Sequence, residues 1–180
     1  MKNITATEFY SLLKEKNINE NELQTLVVTK LINKNKKAAT AESCTGGLVS
    51  KRITEVSGAS AVFECGVCSY ANRIKNKVLG VKNETLSSTG AVSPETAAEM
   101  AQGVRRLAGA DFGVSTTGIA GPTGGSKEKP VGLVYIAVAD EKSTLVIRTL
   151  LNDGGNRNRE EIRKAASSAA LYFLLEKLTD

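Results

Sequence analysis

The stretch Lys37–Val56, KAATAESCTGGLVSKRITEV, changes character twice. KAATAES reads as a short strand, Gly46 and Gly47 interrupt it, and GGLVSKRITEV resumes apolar residues at helical spacing. A strand that runs through glycines into a helix is the repeating passage of an α/β sheet. The same stretch puts three hydroxyl or thiol nucleophiles side by side, Ser43, Cys44 and Thr45. Whether any of them does chemistry is an open question at this point, because the chain has no histidine.

The pattern continues on both sides. Residues 7–16 form an amphipathic helix with Thr7 as its cap, and a second helix spans about 20–35, with Leu23, Leu26, Val27 and Leu31 on its apolar face. SAVFECGVCSY reads as a strand over residues 61–70, followed by a helical turn from Lys75 to Leu79. VSPETAAEMAQGVRRLAGA has a marked helix start: Ser93 caps, Pro94 takes the first helical position, Glu95 sits in the positive first turn, and Gly109 ends it. DFGVSTTG is a buried-type strand that enters the glycine- and proline-rich loop GIAGPTGGSKEKP. VGLVYIAVA and STLVIRTL follow as a hairpin around Asp140–Lys142, and a long helix closes the chain from about Asn158 to Leu178. This alternation predicts an α/β fold, a three-layer α/β/α sandwich around a mostly parallel mixed sheet with one antiparallel strand. Residues 1–180 read as a single domain, with residues 1–18 an accessory N-terminal helix.

Composition narrows the function. At 180 residues and 41% hydrophobic the chain can bury one substantial core. No apolar run approaches a membrane span, and the charged N-terminus lacks a signal-peptide pattern, so a cytoplasmic location is the default and no membrane partner is expected. The net charge of +5 invites a nucleic-acid reading, but the lysines are scattered apart from Lys34, Lys36 and Lys37, and no aromatics are interleaved with them. No nucleic-acid partner is expected, while small anionic ligands suit the charge. Cys65 and Cys68 form a C-x-x-C inside a strand, where residues three apart point to opposite faces, and histidine is lacking as a further ligand. Buried thiols are the plainer reading, and neither a metal nor a cofactor is expected.

Two loops follow strands, ESCTGG and TTGIAGPTGG, and ligands of open α/β sheets gather beyond strand C-termini. Each loop offers backbone N–H groups that can approach a ligand, and the helix after Gly47 would present its positive end to an anion or oxyanion. The second loop is not a P-loop, since Ser126 separates the last glycine from Lys127 and Pro130 opens a strand. Without histidine, a serine nucleophile needs another base, and lysine is the recurring alternative. A lysine serves only if desolvation or a nearby cation lowers its pKa. Lys75, just after a core strand and near Tyr70, is a candidate.

TAESCTGGLVS, YANRIKNKVLGV, TGAVSPETAAEMAQGVR and STTGIAGPTGGSKEKPVGLVYIA together resemble the CinA C-terminal domain family, the nicotinamide mononucleotide amidohydrolases of PncC type, over roughly residues 22–178. The resemblance implies metal-independent deamidation of nicotinamide mononucleotide (NMN) to nicotinate mononucleotide and ammonia, in pyridine nucleotide salvage, by a homodimer or higher homo-oligomer. It implies Ser43 as nucleophile, Lys75 as general base and Tyr70 beside them. Thr45, Gly46 and Gly47, with Thr117, Gly118, Ile119, Ala120 and Gly121, would form backbone-rich walls around the substrate. For the phosphate, the family's G-D-R segment corresponds to GGNRNREEIRK, in which Arg157 keeps the glycine and Arg159 the spacing to Arg163. The basic residue the family carries near Cys65 is absent. The expected oxyanion donors are the N–H groups around Thr45–Gly47, and Cys44 should face the core if Ser43 faces the cleft. The competing reading is a non-catalytic nucleotide-binding or competence-associated domain.

Overall fold

The computed structural model describes residues 1–179 and forms an α/β structure around one six-stranded mixed sheet. In chain order the elements are β1 (Lys2–Thr5), α1 (Ala6–Glu15), α2 (Leu23–Lys34), β2 (Ala38–Glu42), α3 (Leu48–Thr54), β3 (Phe63–Cys68), α4 (Asn72–Leu79), α5 (Asn83–Ser88), α6 (Pro94–Ala108), β4 (Phe112–Gly118), β5 (Leu133–Ala139), β6 (Thr144–Leu150) and α7 (Arg159–Lys177). The strands lie in the order β1-β6-β5-β4-β2-β3. Only β5 runs against its neighbours, β4 and β6. The other pairings are parallel, as expected from the alternation of elements.

The N-terminus departs from the expectation. Lys2–Thr5 is an edge strand that pairs in parallel with β6, and the helix behind it is capped by Thr5, not Thr7. Thr5 accepts from the Glu8 N–H while Glu8 accepts from the Thr5 N–H, a reciprocal capping box that outcompetes the later threonine. The Thr7 side chain instead donates to Asp153. The short helix α5 was also not foreseen; its six residues, NETLSS, are too few to show helical periodicity. The start of α6 agrees with the sequence: Ser93 accepts from Thr96 N–H, Pro94 opens the helix, and Gly109 ends it with φ of 61°.

The two faces of the sheet are packed differently. On one side Ala38, Val114, Val134, Ile136, Val138 and Ile147 meet α2, α3 and α7 together with Phe9 of α1, forming the main core. On the other, Ala39, Ala41, Ala137 and Ala139 meet α6, whose partners are small. Small residues let α6 lie close to the sheet, and two glycines show how close. A Cβ on Gly113 would stand 2.0 Å from the Ala101 carbonyl oxygen, and one on Gly103 would stand 1.9 Å from that of Leu79. Gly103 therefore sets the distance between α6 and the end of α4, the helix that carries Lys75. Helix propensity would favour alanine at this position by about 1 kcal/mol, but the overlap with backbone is larger than a side chain can relieve. Gly103→Ala is expected to destabilise the fold by about 1–3 kcal/mol, measured as a lower midpoint in denaturant with unchanged slope.

Candidate active site

The C-terminal ends of β2, β3 and β4 lie side by side, and the segments that leave them form the site. The Ser43 N–H donates to the Thr116 carbonyl at 2.9 Å, so the loop from Ser43 to Gly47 is hung from β4 as it leaves the sheet. Lys75 comes from the first turn of α4 and is fully buried. Its Nζ donates to Ser43 Oγ at 3.1 Å, to the Ser69 carbonyl at 2.6 Å and to the Tyr70 carbonyl at 3.3 Å. No carboxylate pairs with it, and burial holds its pKa below the ordinary lysine value. In the neutral amine two N–H groups would serve the two carbonyls, which aims the nitrogen lone pair at Ser43.

The loop itself is held from below by a residue that the sequence did not single out. Glu42 is buried, and its carboxylate accepts five hydrogen bonds. Oε2 takes Thr45 Oγ1 at 2.6 Å, Gly47 N–H at 2.9 Å and Val49 N–H at 3.0 Å. Oε1 takes Ser50 N–H at 2.8 Å and Ser50 Oγ at 2.7 Å. This corrects two expectations. The positive end of α3 is occupied by Glu42 and does not face a ligand. The Gly47 N–H is likewise committed, and that of Gly46 donates to the Ser43 carbonyl at 3.2 Å, so neither glycine supplies an oxyanion donor. Among the described residues, the Cys44 and Thr45 N–H groups have no oxygen acceptor. One signal in the sequence pointed to Glu42: in a central strand covered on both faces, an acid must be internally satisfied.

Other predicted residues divide into those that reach the site and those that do not. Cys44 is buried in the main core, and burial pushes its thiol up to about 12, so it is inert beside Ser43. The Thr45 hydroxyl is taken by Glu42 and Thr116, which leaves only its backbone for a ligand. Gly46 and Gly47 take φ of 60° and 93°, a left-handed turn that a side chain would strain, and a Cβ on Gly47 would lie 3.3 Å from Cys68 Sγ. The Thr117 hydroxyl donates to the Ala91 carbonyl at 2.6 Å, turning it toward the start of α6. Gly118 sits against Leu133 and Val134 of β5, where any side chain would collide. Ile119 exchanges backbone hydrogen bonds with Leu133 and Gly132, Ala120 is buried, and the Gly121 carbonyl accepts from Arg159 Nη1 at 2.7 Å.

Arg159 also donates from Nη2 to the Tyr70 hydroxyl at 3.0 Å, so it bridges the segments that follow β3 and β4. Tyr70 is 67% exposed, and its ring stands at the mouth; its link to Lys75 runs through its carbonyl. Arg157 does not join this group. Its guanidinium donates to the Leu151 carbonyl and to Asp153 and stacks over Tyr10, 5.7 Å from the ring centre. Arg163, named in the sequence only for its spacing, donates from Nε and Nη2 to the Thr45 carbonyl at 3.2 and 2.6 Å. Ser69, whose carbonyl fixes Lys75, has a buried hydroxyl without a hydrogen-bond partner among the described residues. Cys65 and Cys68 are free thiols on opposite faces of β3, but Cys65 is only half-buried and Cys68 is exposed, which corrects the expectation of buried thiols: β3 is the edge strand of the sheet, and its outer face is not covered. No helix among the described residues is long and apolar enough to cross a membrane.

Residues 20–178 match the CinA C-terminal domain, so β1 and α1 precede the matched region. A Caldanaerobacter subterraneus protein whose name ties it to competence damage is 62% identical over 125 residues, covering 69% of this chain and 30% of that protein. A CinA-like protein of Kosmotoga olearia is 54% identical over 140 residues, 78% of this chain and 33% of the other. The chain thus spans about a third of the length of the curated relatives it matches. The crystal structure of the competence/damage inducible protein CihA from Agrobacterium tumefaciens superimposes with a TM-score of 0.84 at 42% identity, over 89% of this chain and 96% of that one. The α/β fold is therefore shared with these solved structures, and the chain belongs to the CinA C-terminal domain family.

Proposed function

We propose that the protein is a metal-independent amidohydrolase that deamidates nicotinamide mononucleotide through a Ser43–Lys75 dyad. The observation that carries this reading is the contact of a fully buried, carboxylate-free lysine with the serine at 3.1 Å. A lysine that is merely structural would be expected at the surface or against an acid; here the only other acceptors are two carbonyls. The choice of substrate rests on the family resemblance and on Arg159, a cation at the mouth suited to a phosphate.

The chemistry follows from the placement. The Lys75 lone pair takes the Ser43 hydroxyl proton as Oγ attacks the carboxamide carbon, and the carbonyl π electrons move to oxygen. The oxyanion is received by the Cys44 and Thr45 N–H groups, each worth on the order of 3–4 kcal/mol in the transition state. A donor on the residue after the nucleophile is the arrangement used in other strand-to-helix nucleophile turns. The Lys75 ammonium protonates the nitrogen as its bond to carbon breaks, and ammonia leaves. Water then attacks the ester, gives its proton to Lys75, and Ser43 Oγ departs and recovers that proton. Tyr70 and Arg159 hold the substrate at the mouth.

Ser43→Ala is expected to lower the rate of ammonia release from NMN by roughly 10⁴-fold or more, whereas Cys44→Ala retains activity; loss in the cysteine variant alone would overturn the assignment. Because Lys75 must be neutral in the free enzyme, kcat/KM should rise with pH through one ionisation that lies below the ordinary lysine value, and Lys75→Arg should remove that limb along with the activity. Stability has the same sign. The unfolded chain binds this proton up to a higher pH than the folded one, so the Lys75 contribution to stability increases as pH rises between the two pKa values. Glu42→Gln replaces one acceptor oxygen with a donor that faces N–H and O–H groups. It should cost about 1–3 kcal/mol of stability and lower kcat more than it raises KM, read by denaturation and by steady-state kinetics on the same preparation.

A further inference from the structure

The loop of residues 151–158, LNDGGNRN, joins β6 to α7 and delivers Arg159, the first residue of that helix, to the mouth of the site. Its own sequence does little to fix its path. Gly154 and Gly155 are adjacent, a Cβ on either would meet nothing within 4 Å, and Gly155 takes φ of 72°. What holds the loop comes from the other end of the chain. Asp153 accepts the Thr7 N–H at 3.1 Å and the Thr7 hydroxyl at 2.7 Å, and it pairs with Arg157 at 3.2 Å. Arg157 lies over the Tyr10 ring and returns to the Leu151 carbonyl at 3.1 Å, which ties the two ends of the loop together. Thr7 and Tyr10 are three residues apart on α1, so one face of that helix meets the loop.

The helix that grips the loop is itself a fixed reference. β1 pairs with β6 as far as Thr5 opposite Leu150, the last residue before the loop. Phe9 is fully buried and packs edge-on against Tyr172 of α7, with 5.8 Å between ring centres. The N-terminal unit therefore rests on the element before the loop and on the helix after it. We infer that β1 and α1, which precede the region matched to the family, clamp this loop, with Thr7 and Tyr10 as positioning residues that hold Arg159 between Tyr70 and Gly121. An arginine at the end of an untethered glycine loop has to be ordered each time a ligand arrives, and holding it beforehand removes that cost from binding. The clamp acts on Arg159 alone at the mouth, so its effect falls on substrate binding and not on the Ser43–Lys75 step. The clamp is independent of the amidase reading; only its kinetic consequence rests on that reading.

Amide hydrogen exchange on the intact protein tests the clamp without turnover. Thr7→Val keeps the side-chain size and the backbone N–H and removes only the hydroxyl bond to Asp153. The amides of Gly155, Arg157 and Glu160 donate within the loop or at its junction with α7. In Thr7→Val they should exchange about three- to tenfold faster, while those of β2 and β4 keep their rates, and Thr7→Ser should restore the original pattern. Unchanged exchange in the loop, or equal acceleration throughout the chain, overturns the proposal. Ammonia release from NMN supplies the second arm. Thr7→Val should raise KM by about the same three- to tenfold factor with kcat within about twofold. In the Arg159→Ala background the same substitution should add nothing, because both changes act through one guanidinium. An additive effect, or a change in kcat alone, overturns the positioning role. If the unsubstituted protein releases no ammonia, the amidase reading fails and hydrogen exchange decides the clamp by itself.

Discussion

The carboxylate of Glu42 is the constraint on which the site is built. Burying a charge in a sheet costs several kcal/mol unless donors replace the lost water, and here five donors surround it, all from the next eight residues. Those donors cannot reach one carboxylate unless the chain turns back sharply after β2, and Gly46 and Gly47 with positive φ make that turn. Glu42 thus performs three tasks: it caps α3 in place of a side-chain N-cap, it fixes the Thr45 hydroxyl against Thr116, and it determines which N–H groups of the loop stay free. The position of Ser43 is a consequence of satisfying an acid.

Lys75 presents the converse problem. It is buried with no acid, so water exclusion favours its neutral form, the form a base requires. Behind the helix that carries it, α6 packs closely against β4 and the end of α4, which the glycines at 103 and 113 and the alanine face of the sheet permit. A buried amine without an acid is unfavourable, and the rest of the sheet supplies the stability that offsets it.

Much of this was legible in the sequence, and the reasons differ by element. The β2–glycine–α3 passage and the Ser93–Pro94 start of α6 carry strong local chemistry and read correctly. The antiparallel hairpin from β5 to β6 followed from a polar turn between two apolar runs. By contrast KNIT, at Lys2–Thr5, is too short to display alternation, and its strand exists only because β6 offers an edge. Ser43 and Lys75 are 32 residues apart, and no spacing rule joins them; the family resemblance did. Glu42 was overlooked because glutamate in a short strand usually marks an exposed face. The choice between Arg157 and Arg159 depended on a tertiary contact, the capture of Arg157 by Asp153 and Tyr10, which no local pattern encodes.

The sheet also divides the charges. The Lys75 amine comes from α4, the helix whose end packs with α6 in a layer of alanine, leucine, valine and methionine, while Arg52, Arg159 and Arg163 belong to the α3–α7 layer. The two layers meet at residues 43–47, which touch Lys75 through Ser43 and Arg163 through Thr45. A cation that holds a loop and an amine whose charged form burial disfavours need different surroundings, one polar and one dry. Placing them on opposite faces of one strand provides both within a few residues. A shift at the start of α7 therefore has a short route to Ser43, through one guanidinium and one carbonyl, and the packing around Lys75 need not change for the nucleophile to be moved.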